Sequence, residues 1–301
     1  MRPVSLYPIL ALLLLVAVIA AAGCTGIRST GTNDVPAGST AWRIDHAVIV
    51  VQNLTASMDT FSEAGFNVVS GGEHTDNLTE NALIPFRDGS YLELFAPTDP
   101  SLAAEMHHLV ATDTFDTAMA GSDAMQKRFM LHLAQGIGLR DFAVSAPGLN
   151  LSEVQVLAER GGVVLAGPIP MSRTRPDGIV VRWHVAVPVF RYATCVPFLI
   201  VDDTPRSLRV PDGNLTNHPN GVTGIRSIEV ATRDPVEVSR WYNTVVSASP
   251  ESTSDTLTTF ALNGSVIIVR GIAGTGSEGP VGITLSTDTG DVFELENFTI
   301  E

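Results

Sequence analysis

Apolar and polar positions along the chain fall into an order that recurs three times. Residues 44–51 form a strand-like apolar run, and residues 54–63 form a helical stretch that ends at Gly65. Short strands are predicted at 66–69, 82–86 and 91–95. The last two are joined by Arg87-Asp88-Gly89-Ser90, where the Asp-Gly pair supplies the positive φ of a tight hairpin. A second unit begins near Leu139, with a strand at 141–145, a helix at 151–160 closed by Gly161-Gly162, and strands at 163–165, 179–187 and 196–201. A third follows Gly224, with a strand at 227–231, a helix at 235–246 and strands at 256–262, 265–270 and 282–286. Between the first two units lies a mainly helical insertion, residues 101–135. Its His107, His108 and His132 are placed either to line a pocket or to face water.

This predicts an α+β protein of repeated β-α-β-β-β modules, pairing into curved mixed sheets around a cleft. The long parallel crossovers of Rossmann and TIM folds are missing from the pattern. The paired modules occupy residues 43–203, and the third module 204–301.

The first 42 residues follow a different rule. Arg2 precedes an apolar run over residues 9–22, shorter than the roughly 20 residues that span a bilayer comfortably. A charged start, a short apolar run and small residues before a break form an export signal, residues 1–23. Ala21-Ala22-Gly23-Cys24 resembles a prokaryotic lipobox, which implies lipidation at Cys24. The alternative is an uncleaved signal anchor. Residues 24–42, rich in Gly, Ser and Thr, then form a flexible tether. Both alternatives put the protein on the outer face of the cell membrane. With Cys24 lipidated, Cys195 has no partner for an intramolecular disulfide, and its apolar neighbours suit a buried thiol.

Charge narrows the partners. Eighteen basic residues against 32 acidic ones leave a net charge of -14, which repels phosphate backbones and excludes nucleic acid as a partner class.

The candidate chemistry lies in the first two units. Ile44-Asp45-His46-Ala47-Val48 opens the first and Tyr91-Leu92-Glu93-Leu94 closes it. Between them come Gly71-Gly72-Glu73-His74 and Thr79-Glu80-Asn81-Ala82-Leu83. Arg175-Pro176-Asp177-Gly178 with Trp183, then Pro197-Phe198-Leu199-Ile200 and His218-Pro219-Asn220-Gly221, follow. In this order the segments resemble the glyoxalase-like branch of the vicinal oxygen chelate superfamily.

The resemblance implies a divalent metal (Zn, Fe, Mn or Ni) on the concave face, with His46 and Glu93 as first-module ligands and Glu93 as the catalytic carboxylate. Imidazole nitrogen and carboxylate oxygen suit those ions. It further implies a lyase, isomerase or dioxygenase acting on a small oxygenated molecule. His74, Asn81, Arg175 and Trp183 are the candidate substrate contacts. Arg175 is the candidate for an anionic group, because a guanidinium fork pairs bidentately with carboxylate.

Alternation puts Glu93 on the face opposite Leu92 and Leu94, so if those leucines pack under the helix, Glu93 faces the cleft. The second module lacks the matching pair. Asp141 stands opposite His46, and the closing strand has no carboxylate before Asp202 and Asp203. The alternative function is therefore a non-catalytic small-molecule-binding protein that keeps the cleft without the metal. The third module pairs either within the chain or across a homodimer.

Overall fold

The computed structural model describes residues 41–74, 77–254, 256–274 and 276–295. The export signal, Cys24 and the tether up to residue 40 lie outside the described residues. Among the described residues no helix is long and apolar enough to cross a membrane.

The first module runs β1 (Arg43–Val50), α1 (Leu54–Glu63), β2 (Val69–His74), β3 (Thr79–Pro85) and β4 (Tyr91–Pro97). The insertion holds α2 (Pro100–Ala111), α3 (Phe115–Ala118) and α4 (Ala124–Gln135). The second module is β5 (Gly138–Ser145), α5 (Leu151–Arg160), β6 (Leu165–Thr174), β7 (Val180–Pro188) and β8 (Phe198–Asp202). A one-turn helix α6 (Arg206–Arg209) leads to the third module. This comprises β9 (Val222–Thr232), α7 (Pro235–Val245), β10 (Pro250–Thr253), β11 (Leu257–Leu262), β12 (Ser265–Gly271), β13 (Gly279–Thr287) and β14 (Val292–Glu294).

Helices α1 and α5 have the predicted bounds because side chains begin them. Asn53 accepts from the Ala56 amide, and Asn150 from the Ser152 and Glu153 amides. Predicted and observed strands differ most at β2 and β6. Phe66, read as a strand residue, is instead a buried loop side chain in the core under α1. Strand β2 starts at Val69 and runs through Gly71 and Gly72, which weaken the strand signal in sequence. Strand β6 continues to Thr174, well past the predicted 163–165.

Eight strands of the two modules close into a barrel in the order β1-β4-β3-β2-β6-β7-β8-β5. Within the first module β1 and β4 are parallel, and the β1–β5 seam is antiparallel and long. The other seam, β2–β6, is only two pairs long, Glu73 with Thr174 and His74 with Arg173. It needs two glycines to close. A Cβ on Gly71 would stand 2.0 Å from Asn81 Oδ1, and one on Gly72, at φ +112°, 2.2 Å from the Thr174 carbonyl.

Alternation divides the barrel into two cores. Ala47, Ile49, Leu92, Leu94, Phe142 and Val144 point outward into a core shared with α1, α5 and the third module. Val48, Val50, Phe95, Ala143, Val185, Phe198 and Ile200 point inward, where they meet Met125, Phe129, Met130 and Leu133 of α4. The insertion is thus part of the barrel's interior packing. The third module is a six-stranded sheet, β10-β11-β12-β9-β13-β14, backed by α7 on the outer core. No residue of β9 to β14 or of α7 lines the chamber described next.

Candidate functional site

Inside the barrel lies a chamber of about 20 Å3, room for one water molecule or ion, lined by His46, His74, Asn81, Tyr91, Glu93, Arg173, Trp183 and Arg209 among others. Leu92 and Leu94 do pack into the outer core, and Glu93, buried between them in sequence, faces inward. Among the described residues it is the one carboxylate lining the chamber.

Each neighbour of Glu93 is held from behind. A β-bulge at Asp45 interrupts the β1–β5 register between Ile44 and His46. Asp45 Oδ1 there lies 2.8 Å from His46 Nδ1, and the opposite ring nitrogen, Nε2, lies 3.4 Å from Glu93 Oε2. His46 stacks on Tyr91 with centroids 4.5 Å apart. His74 Nδ1 lies 2.9 Å from the Thr79 hydroxyl, and its Nε2 3.8 Å from Glu93 Oε1. Asn81 Nδ2 donates to that same oxygen, while its Oδ1 accepts from Arg173 Nη1 at 3.1 Å. The result is a carboxylate between two imidazoles, each anchored through its far nitrogen.

The network behind Asp45 comes from α6. Arg209 reaches Asp45 with Nη1 and Nη2, at 3.1 and 3.2 Å, and also binds Asp202 and the Tyr91 hydroxyl. Arg206 donates to Asp45 and to the Gly89 carbonyl. Burial alone would raise the Asp45 carboxyl, but the Arg209 and Arg206 charges overcome it and hold it well below the usual range.

The second module has no mirror image of the His46–Glu93 pair. Asp141, on β5, is fully buried and receives Arg128 Nε and Nη2 of α4, at 2.7 and 2.6 Å. His132 Nε2 lies 2.8 Å from it. Arg128 also donates to the carbonyls of Ala193 and Val196. Burial would raise the Asp141 carboxyl too, and the Arg128 charge again dominates to lower it. Asp202 belongs to Arg209, and Asp203 pairs with His184. Phe198 and Ile200 take the inward positions of β8.

Of the sequence candidates, His46, His74, Asn81, Glu93 and Trp183 line the chamber together. Arg175 does not. It closes a turn over residues 175–178 outside the barrel, where Nη2 pairs with Asp177 at 2.8 Å and Nη1 donates to the Leu208 carbonyl. The chamber guanidinium groups are those of Arg173, two residues earlier on β6, and Arg209 of α6. The Arg173 Nε is buried with no hydrogen-bond partner among the described residues. Arg209 and Asp45 were not singled out either, since their pairing spans 164 residues of sequence.

His218 is structural. Its Nδ1 accepts from the Asn67 amide and its Nε2 donates to the Pro85 carbonyl, the pattern of a neutral ring. His107 and His108 are exposed, whereas His132 is buried against Asp141. Cys195 is a buried free thiol, its pKa raised by burial.

These groups set the acid limit of the fold. Burial lowers the His218 pKa, so its contribution is full above the unfolded value of about 6.5 and falls away below it. Asp45 and Asp141 are depressed in the folded state. Their contribution is complete above the unfolded value of about 3.9 and is lost as pH falls through it toward the folded values. Urea denaturation at successive pH values is expected to show a shallow loss of stability starting near pH 6.5 and a steep one below about pH 4. A profile flat down to pH 3 would contradict the assignment of charged, paired carboxylates.

Among the described residues no group of three or more His, Cys, Asp or Glu side chains is set up to hold a metal ion. The two imidazoles flank different oxygens of Glu93 instead of closing on one point.

The model of a family described as a glyoxalase-like domain matches residues 44–246. No curated protein matches the chain in sequence. A hypothetical protein from Staphylococcus aureus superposes with a TM-score of 0.62 at 15% identity, over 84% of this chain and 98% of that one. The Mn(II)-bound glyoxalase from Novosphingobium aromaticivorans gives 0.45 at 10% identity, over 85% and 81%. The methylmalonyl-CoA epimerase of Streptomyces coelicolor gives 0.34 at 18% identity, over 54% and 98%. Of these three, the first is alike enough to show a common fold.

Proposed function

The chain belongs to the glyoxalase-like domain family, and from that premise we propose that its barrel is an enzyme site acting on a small oxygenated molecule with the help of a divalent cation. The observation that carries the reading is Glu93 flanked by His46 and His74, each with its far nitrogen anchored.

The donors suit such an ion in kind. Neighbouring ligand atoms on an ion with bonds of about 2.0–2.2 Å stand roughly 3.0–3.6 Å apart. The separation of His46 Nε2 from Glu93 Oε2, 3.4 Å, lies within that span, whereas His74 Nε2, 3.8 Å from the other oxygen Oε1, lies outside it. A carboxylate behind a ligating imidazole, here Asp45 behind His46, fixes the tautomer and raises the ring's basicity.

His46 and Glu93 would hold a divalent cation there, and the chemistry it would supply is Lewis acidity toward a carbonyl or hydroxyl oxygen of the substrate. The chain's own residues do the rest. Glu93, the one carboxylate on the chamber among the described residues, takes the proton from the carbon or hydroxyl next to that oxygen and can return it to a neighbouring atom. Arg173 offers its unpaired Nε to an anionic oxygen. Trp183, Phe198, Met125 and Phe129 wall the chamber and keep water away from the reacting atoms.

Full-length protein should contain about one divalent ion per chain by elemental analysis, lost in His46→Ala and in Glu93→Ala. Folded protein without metal, or metal that survives both substitutions, would sink the reading. The guanidinium groups of Arg173 and Arg209 on the same chamber support a second reading, a non-catalytic site for a small anion. A metal-free result would leave that one standing.

The proposal extends to location. An apolar leader ending in Ala21-Ala22-Gly23-Cys24, followed by a Gly- and Ser-containing tether, supports display of the barrel outside the cytoplasm on lipidated Cys24. Radiolabelled fatty acid should be incorporated by the wild-type chain in a bacterial host and not by Cys24→Ala. Equal labelling of the two would remove the lipoprotein assignment.

A further inference from the structure

Next to the chamber, on the side of the insertion, lies a vestibule of about 370 Å3, and three residues line both spaces: His74, Phe129 and Met171. His46 and Glu93 line the chamber and not the vestibule, whereas His184 lines the vestibule and not the chamber. Phe129 is wedged between aromatic neighbours, with ring centroids 4.9 Å from Phe95 and 5.8 Å from His74. It is buried, with 9% of its surface exposed.

Its position is fixed by the residue before it. Arg128 is bound to Asp141 through two nitrogens and to two backbone carbonyls, so α4 is fastened to β5 and to the turn preceding β8. One residue on, the helix turns Phe129 toward the chamber. Asp123 caps the first turn of α4 and also lines the vestibule, so the same helix supplies both the wall of the antechamber and the barrier behind it.

We propose that Phe129 is the specificity-determining residue of this site, the barrier between vestibule and chamber that admits only a slender oxygenated end while the body of the molecule rests in the vestibule. The volumes support this division. About 20 Å3 holds one small group, and about 370 Å3 holds a much larger one. A ring held by a bidentate guanidinium–carboxylate pair on its own helix resists displacement, so selection falls on the shape of the entering group. The inference rests on the reading of the chamber as the working site, but it does not require the cation.

Diethyl pyrocarbonate, which acylates imidazole nitrogen, tests it on protein first stripped with EDTA. Peptide mass spectrometry would give the rate of modification at each histidine, with His184, on the vestibule side, as the internal control. In the wild type His46 should react far more slowly than His184. In Phe129→Ala the His46 rate should rise at least about tenfold with the His184 rate within twofold of wild type. Phe129→Leu keeps most of the apolar volume and should fall between.

Should Phe129→Ala unfold, both histidines would accelerate together, and Phe129→Leu then decides by the His46 to His184 ratio. A ratio unchanged from wild type in the folded variants overturns the proposal. The metal assignment fails separately. It would do so through metal-free wild-type protein in elemental analysis, a result that leaves these rates as they are.

Discussion

Arg128→Met is expected to destabilise the protein by about 3–5 kcal/mol, because it leaves the Asp141 carboxylate buried without its main counter-charge. At this chain length each kcal/mol is worth roughly 2–4 °C, so the melting temperature should drop by on the order of 10 °C. Two further acceptors, the carbonyls of Ala193 and Val196, lose their donor at the same time. The effect is an orphaned charge, and the double variant separates it from lost packing. Arg128→Met with Asp141→Leu should recover much of the loss, since an apolar pair of similar volume can replace a buried ion pair. Thermal unfolding of the wild type, both single variants and the double variant measures the coupling. Additive losses would show that Arg128 and Asp141 do not act as a pair.

Arg209→Met should cost a similar amount, about 3–5 kcal/mol, and should reach the chamber as well. Arg209 is buried and binds Asp45, Asp202 and Tyr91 at once. Without it Asp45 keeps only the partly exposed Arg206 among its guanidinium partners. The Asp45–His46 contact that holds the ring then loses its support, and Tyr91, on which His46 stacks, loses its own partner. Loosening the group behind a ligating imidazole typically lowers metal affinity about 10–100-fold. Calorimetric titration with Zn2+ should therefore weaken in Arg209→Met. Arg209→Lys should restore charge without the fork geometry and give a partial rescue. Unchanged affinity in a destabilised Arg209→Met would confine the network to a structural role.

Local signals in the sequence carried the fold further than the site. Helices α1 and α5 were legible because Asn53 and Asn150 cap them and Gly65 and Gly161 follow them closely. Glu93 was legible because period-two alternation needs only Leu92 and Leu94 on either side. The same rule separates Trp183, on the chamber, from His184, on the vestibule.

What stayed hidden depends on pairing between distant segments. Arg175 stood out beside Pro176-Asp177-Gly178, but that turn directs it to Asp177. The β2–β6 register then brings Arg173 beside His74. Arg206 and Arg209 lie more than 160 residues from Asp45 in sequence. The insertion offered its histidines as candidates, yet it lines the chamber with Met125 and Phe129, held by the Arg128 between them, none of which belongs to a local motif.

The central proposal is that two histidine nitrogens and one carboxylate from the first module take up a divalent cation. Electron spin-echo modulation of the Mn(II)-loaded protein tests it most directly, because it registers the nitrogens bound to the ion. The account predicts coupling to two imidazole nitrogens, reduced to one in His46→Ala and to one in His74→Ala, with Mn(II) binding lost in Glu93→Ala. Bound Mn(II) with no nitrogen coupling, or with coupling indifferent to both histidine substitutions, would place the ion elsewhere and contradict it.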